Sequence, residues 1–145
     1  MNIVAIGAHP DDLEIFAYGF LAAASSRGDN LILGVATDGA AGGVNQGAEL
    51  ARQRADEARN GLAALGTPTL LDLPDGQLAD APNARNRIRD FIRNAAPDLV
   101  ITHAPEDYHP DHRALAAYVR DAAGFICPVL FCDTLMGVGF APDYY

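Results

Sequence analysis

The chain is poor in the features that would make it a disulfide scaffold, a membrane protein or a nucleic-acid binder. It has two cysteines in 145 residues. They are Cys127 and Cys132, with neither a Cys-x-x-Cys spacing nor a Cys/His zinc cluster around them, so they read as small buried apolar residues. No uninterrupted apolar run reaches the roughly 18–20 residues of a membrane span. Residues 1–7 are too short for a signal peptide and lack a basic region; they read as a strand, and the cytoplasm is the expected location. Basic residues are scarce, with ten Lys+Arg against 19 Asp+Glu and a formal charge of −9. Nucleic acid and anionic membrane both call for a basic patch, so neither is an expected partner.

Two nucleotide signatures are missing as well. A dinucleotide site needs Gly-x-Gly-x-x-Gly after the first strand, so that bare backbone can approach a pyrophosphate at a helix N-terminus. Here that turn reads His9-Pro10-Asp11-Asp12, whose carboxylates repel phosphate unless a cation intervenes. The Walker pattern Gly-x-x-x-x-Gly-Lys-Ser/Thr does not occur either.

What is present is a globular α/β pattern. Half the residues are hydrophobic, with 14 Gly and 9 Pro, which excludes disorder and collagen-like repeats. At roughly 100–200 residues per domain, the length predicts one domain. Apolar runs at 3–6, 31–36, 69–73, 99–102 and 129–132 read as strands. They alternate with helical stretches at about 11–26, 48–65, 83–94 and 111–123, the second carrying Leu50, Ala58, Leu62 and Leu65 near a 3.6 period. In the third, Ile88, Phe91 and Ile92 form an apolar stripe among Arg85, Arg87, Arg89 and Arg93, which read as a solvated face. Such alternation means βαβ units, hence a Rossmann-like, doubly wound and mostly parallel sheet with helices on both faces. The glycine-rich stretch 37–47 follows the second strand and reads as a mobile loop at the sheet edge that carries the ligand crevice.

The four histidines fall at strand ends. His9 follows the first strand; His103, His109 and His112 follow the fourth. His109-Pro110-Asp111-His112 echoes His9-Pro10-Asp11-Asp12, and each stands where a strand gives way to a helix. With the common strand order 3-2-1-4-5, the first and fourth strands are neighbours at the topological switch point, and the two elements face each other. One such element alone could be a turn whose acids complement a helix dipole. Two matched elements gather His9, Asp11, Asp12, His109, Asp111 and His112 into an open metal-ligand constellation. Two His and one Asp with water suit catalytic zinc, though non-haem Fe(II) uses a similar set. Spacing chooses neither the metal nor the three ligands.

Ala8-His9-Pro10-Asp11-Asp12 and His109-Pro110-Asp111-His112 resemble the motifs of the PIG-L/LmbE-like zinc-dependent N-acetylglucosaminyl deacetylases. Thr37-Asp38-Gly39, Arg54-x-x-Glu57 and Leu73-Pro74-Asp75-Gly76 add to the resemblance. It implies zinc on His9, Asp12 and His112, with Asp11 as general base toward the water that zinc activates. It makes His109 the electrophile and proton donor, with Asp111 orienting or tuning it, and puts Arg54 and Asp75 on the sugar. The substrate would be an N-acetyl amino sugar or glucosaminyl conjugate, and a homo-oligomer is compatible with the family. The chemistry agrees, since amide hydrolysis needs an activated water, a proton acceptor and a donor at the oxyanion.

Some positions depart from the pattern. The acid after the first motif, Glu14, comes one place later than in the HPDDE form, and Asp107 stands where some relatives carry Tyr, with Tyr108 next to His109. Family catalytic domains run beyond 145 residues. The apolar segment 135–140 and the end at Tyr145 therefore predict a domain (1–145) lacking part of its substrate wall. Two other functions compete: a phosphoesterase with two metals, recruiting Asp38 or Asp107, and a non-catalytic metal- or ligand-binding module.

Overall fold

A computed structural model describes residues 1–44 and 46–132; the segment 135–140 lies outside the described residues. The elements run β1 (Asn2–Gly7), a π-helical turn (Leu13–Ala17) continuing into α1 (Tyr18–Ser26), β2 (Asn30–Thr37), α2 (Ala48–Gly61), β3 (Thr69–Leu73), α3 (Ala84–Asn94), β4 (Leu99–His103), α4 (Pro110–Ala123) and β5 (Val129–Cys132). All four strand pairings are parallel, in the order β3-β2-β1-β4-β5. The expected neighbours therefore meet, with Ile3 paired to Leu99 and Ala5 to Ile101.

Alternating residues of β1 feed two separate cores, because successive side chains of a strand point to opposite faces. Val4 and Ile6 pack with Ile88 and Ile92 of α3 and with Leu115 and Val119 of α4. Ile3 and Ala5 pack with Leu13, Leu21 of α1, and Leu62 just past α2. Helices thus cover both faces, which is why β1 reads as an almost unbroken apolar run. Arg85, Arg87 and Arg93 of α3 are exposed, and Arg85 pairs with Asp121 of α4 at 2.9 Å.

Three local features differ from the sequence expectation. The first helix is divided by the π-helical turn directly after Asp12. The second ends at Gly61, not near Leu65, because the N–H groups of Leu65 and Gly66 both turn back to the Leu62 carbonyl. Cys127 and Cys132 are free, as expected, but only half-buried. Among the described residues, no helix is long and apolar enough to cross a membrane.

Candidate metal centre

The site is assembled from the C-terminal ends of β1 and β4 and the loop after β3. The end of β1 is anchored first: Thr37 donates to the Ala8 carbonyl from both its N–H and Oγ1, each at 2.8 Å. The chain then reverses over His9-Pro10-Asp11-Asp12, with the Asp12 N–H donating to the His9 carbonyl at 3.2 Å. This is a four-residue turn with Pro second and Asp11 third, and Asp11 adopts φ +124°. A positive φ at the third position ordinarily selects glycine or asparagine, so Asp11 carries backbone strain. Asp12 folds back so that Oδ2 accepts the His9 N–H at 2.6 Å. Only glycine fits beneath it, since a Cβ on Gly7 would lie 2.8 Å from that of Asp12.

On the other side, His109 caps α4. Its Nδ1 accepts the Asp111 N–H at 3.2 Å, and Pro110 occupies the first helical turn, where a missing N–H costs nothing. The neutral His109 ring must then carry its proton on Nε2. One turn further, His112 is buried and turns Nε2 toward His9 and Asp12.

The donor atoms converge. His9 Nδ1 lies 3.1 Å from His112 Nε2 and 3.4 Å from Asp12 Oδ2, and His112 Nε2 lies 3.5 Å from Asp12 Oδ1. Three ligands about 2.0–2.1 Å from a tetrahedral zinc would stand about 3.3–3.4 Å apart. The ring protons support the same conclusion. His9 Nε2 lies 3.2 Å from Asp111 Oδ2 and 3.2 Å from Asp75 Oδ1, and carboxylates only accept, so the His9 proton sits on Nε2. In the neutral ring Nδ1 then presents a lone pair toward His112 and Asp12, and the cluster is relieved either by a further imidazole proton, which hydrogen-bonds Asp12, or by a cation among the atoms. A donor set of this kind fits a metal ion. His109 also comes within 4.8 Å of His9 and His112, and His103 within that distance of Asp12 and His112.

The electrostatics express the same demand for positive charge. Burial opposes a charge on His9, but the hydrogen bond and charge of Asp12, with Asp75 and Asp111, outweigh it and raise its pKa to about 9. Burial opposes ionisation of Asp12 too, yet hydrogen bonds from His103, His112 and His9 hold it well below the usual carboxylate range. His109 is pushed down, by burial and then by the neighbouring imidazoles. Burial raises Asp11 against the opposing charge of Arg54.

Some expected residues stand in different relations from those the motifs suggest. Asp111 does not aim its carboxylate at His109. It accepts from the N–H groups of Gly76 at 2.7 Å and Leu78 at 3.0 Å and faces His9, because the loop after β3 supplies two backbone donors there. Arg54 reaches from α2 to Asp11, and Asp75 accepts the Ala41 N–H at 2.9 Å besides facing His9. Both still border the crevice, a cavity of about 230 Å³ lined also by Ile15, Gly39, Gly42, Tyr108 and His109. The glycine-rich loop therefore forms one of its walls. Glu14 packs against Gly61 at the end of α2, where a Cβ would come 2.7 Å from Oε1.

Sequence reasoning left His103 and Asp107, like Glu14 and Tyr108, without an assigned role. His103 is buried and stacks on His112 with centroids 3.7 Å apart and planes 11° from parallel. Its Nε2 lies 3.0 Å from the Ala8 nitrogen and 3.1 Å from Asp12 Oδ2; it can accept from one or donate to the other, not both at once. Asp107, also buried, faces the Nδ1 atoms of both stacked rings, 3.9 Å from His103 and 3.0 Å from His112. The available signal was position: both follow β4 at the sheet edge where the crevice opens.

Comparison with known proteins gives a consistent picture. The profile of the PIG-L family, described as GlcNAc-PI de-N-acetylase, matches residues 4–123. A curated relative, the "uncharacterized deacetylase YaiS" of Escherichia coli (strain K12), is 33% identical over 125 residues, covering 79% of this chain and 63% of the relative. The chain thus spans under two thirds of that relative's length. Among solved structures, the conserved protein TT1542 from Thermus thermophilus superposes with a TM-score of 0.81 at 25% identity, over 99% of this chain and 70% of that one. The N,N'-diacetylchitobiose deacetylase from Pyrococcus horikoshii does so with a TM-score of 0.78 at 28% identity, over 85% and 49%.

Proposed function

The chain belongs to the PIG-L family of GlcNAc-PI de-N-acetylases, and on that premise we propose that it is a zinc-dependent deacetylase removing the acetyl group of an N-acetylated amino sugar or glucosaminyl conjugate. The observation that carries this reading is that His9 Nδ1 and His112 Nε2 stand 3.1 Å apart with the two Asp12 oxygens 3.4 and 3.5 Å from them, and with Asp11 lining the same crevice. A zinc ion held by those three residues would supply a water whose pKa is lowered to about 7.

The remaining steps belong to the chain itself. Asp11 stays outside the donor set, with Oδ2 held by Arg54 Nη2 at 2.6 Å, which leaves Oδ1 to take up a proton. Its burial-raised pKa suits a general base, which works best with a pKa nearer the operating pH. His109 offers Nε2–H from the β4 side, where it can hydrogen-bond the amide oxygen as negative charge gathers and pass a proton to the departing nitrogen. Asp111 and Asp75 hold the His9 proton on Nε2, as carboxylates do for metal-binding imidazoles generally.

The lining of the crevice supports the substrate class: Arg54, Asp75, Tyr108 and His109 offer the hydrogen-bonding groups that a hydroxylated amino sugar would meet. The test is metal analysis together with acetate release from a panel of N-acetyl amino sugars. One zinc per chain with acetate release is expected. Full zinc loading without acetate from any member would overturn the deacetylase reading, and two metals per chain would favour phosphoester chemistry.

A further inference from the structure

We propose that Asp107 is a positioning residue of the metal centre, fixing the orientation and tautomer of His112 so that Nε2 faces His9 and Asp12; this rests on the zinc reading above. Asp107 is only 4% exposed, and burying a carboxylate is costly unless polar partners surround it. Its partners are the two histidines of the second motif. Oδ1 accepts the His109 N–H at 2.9 Å and stands 3.0 Å from His112 Nδ1. Oδ2 lies 3.9 Å from His103 Nδ1.

His112 Nδ1 depends on this carboxylate. The nitrogen is buried and makes no well-angled hydrogen bond among the described residues, and Asp107 Oδ1 is the carboxylate oxygen at ion-pair distance. A neutral imidazole carries one N–H, and an adjacent carboxylate keeps it on the facing nitrogen. Nε2 is then a lone pair aimed at the donor set. His9 is arranged in mirror fashion, with Nε2–H toward Asp111 and Asp75 and Nδ1 toward the same point. Each imidazole of the pair thus has its own carboxylate, reached through opposite ring nitrogens.

Asp107 is itself well fixed. Its N–H donates to the Ala104 carbonyl at 3.2 Å, and its carbonyl accepts from Arg113 Nη1 at 2.8 Å. With His103 stacked on the His112 ring, neither partner can swing away without breaking other contacts. One oxygen therefore aims both histidines, His112 through the ring and His109 through the backbone entering α4.

The experiment compares Asp107→Asn and Asp107→Ala with the parent chain. Zinc affinity is measured by chelator competition, cobalt(II) loading by its visible spectrum, and folding by thermal unfolding of the zinc-free forms. Asparagine retains an oxygen for the His109 N–H but not the charge at His112, so the zinc-free Asn variant should unfold near the parent. Its zinc affinity should fall about 10–100-fold, the usual effect of losing an outer carboxylate, with an altered cobalt spectrum. Asp107→Ala should lose at least as much; should it fail to fold, the Asn variant decides. Parent-like zinc affinity and cobalt spectrum in a folded Asn variant would overturn the proposal. A parent chain that takes up no zinc would overturn the metal-centre reading and this one with it.

Discussion

Arg54 links α2 to the turn after β1, with Nη2 2.6 Å from Asp11 Oδ2 and 2.6 Å from the Pro10 carbonyl oxygen. It therefore holds the strained Asp11 from both ends, side chain and backbone. A contact with the sugar alone would be a different role, and the two are separable. Arg54→Ala should keep its zinc but lose about 10–100-fold in kcat, equivalent to one charge-assisted hydrogen bond of about 1.5–3 kcal/mol. A rise in KM with unchanged kcat would instead make Arg54 a sugar-binding residue.

Asp11 and Asp12 are adjacent and chemically alike, yet only Asp12 lies among the converging donors. Asp11→Asn should retain zinc and fold while acetate release falls about 10²–10⁴-fold, the usual range for a general base. Loss of zinc in that variant would make Asp11 a ligand. The positive φ adds a second measurement. Because Asp11→Gly also removes the Arg54 partner, it is compared in an Arg54→Ala background, where it should be at least as stable as Asp11, by up to about 1 kcal/mol in denaturant unfolding, since strain of this kind costs about 1–3 kcal/mol. A clear destabilisation in that background would mean that the turn is not strained.

Zinc should stabilise the fold measurably. At a free concentration 100 times its Kd, an ion that binds only the native state adds about 2.7 kcal/mol. Thermal unfolding with zinc and with chelator should differ accordingly, and His112→Ala should remove most of the difference. Identical transitions in the parent with and without zinc would contradict the assignment of His9, Asp12 and His112.

Two apolar side chains stand at the mouth of an otherwise polar crevice, Ile15 at 57% and Tyr108 at 47% exposure. If the crevice takes a sugar as proposed, an aromatic ring at its mouth offers a face for the C–H groups of a pyranose. Tyr108→Ala should therefore raise KM about 10-fold with little change in kcat, since stacking would hold ground state and transition state alike. A fall in kcat at constant KM would place Tyr108 at the reacting atoms.

The fold was readable because βαβ alternation leaves few options. Five apolar runs separated by helix-period segments, with a pair of echoed motifs at strand ends, imply the order in which β1 and β4 touch. The gathering of His9, Asp12, His109 and His112 follows from that order alone. What a linear pattern does not encode is which carboxylate faces which imidazole. Asp111 lies two residues from His109 yet points to His9, because the Gly76 and Leu78 N–H groups draw it there from another loop. Arg54 belongs to a short pattern on α2 and Asp107 to the loop after β4, but which atoms they meet depends on side-chain angles that no spacing encodes. The π-helical turn after Asp12 is a backbone adjustment with no compositional signature.

His9 and His112 are 103 residues apart in the chain and their ring nitrogens 3.1 Å apart in space. An ion shared between them would close a loop from the end of β1 to the start of α4, holding α1, β2, α2, β3, α3 and β4. In the chain-entropy account of covalent bridges, a loop of about 100 residues is worth up to about 4.7 kcal/mol against the unfolded ensemble. Both cysteines are free, so this cross-link would be the chain's reversible substitute for a disulfide. Stripping the metal would then release the first crossover from the last and raise the population of open forms that proteases cut. Metal supply would govern how long the molecule persists as well as whether it turns over.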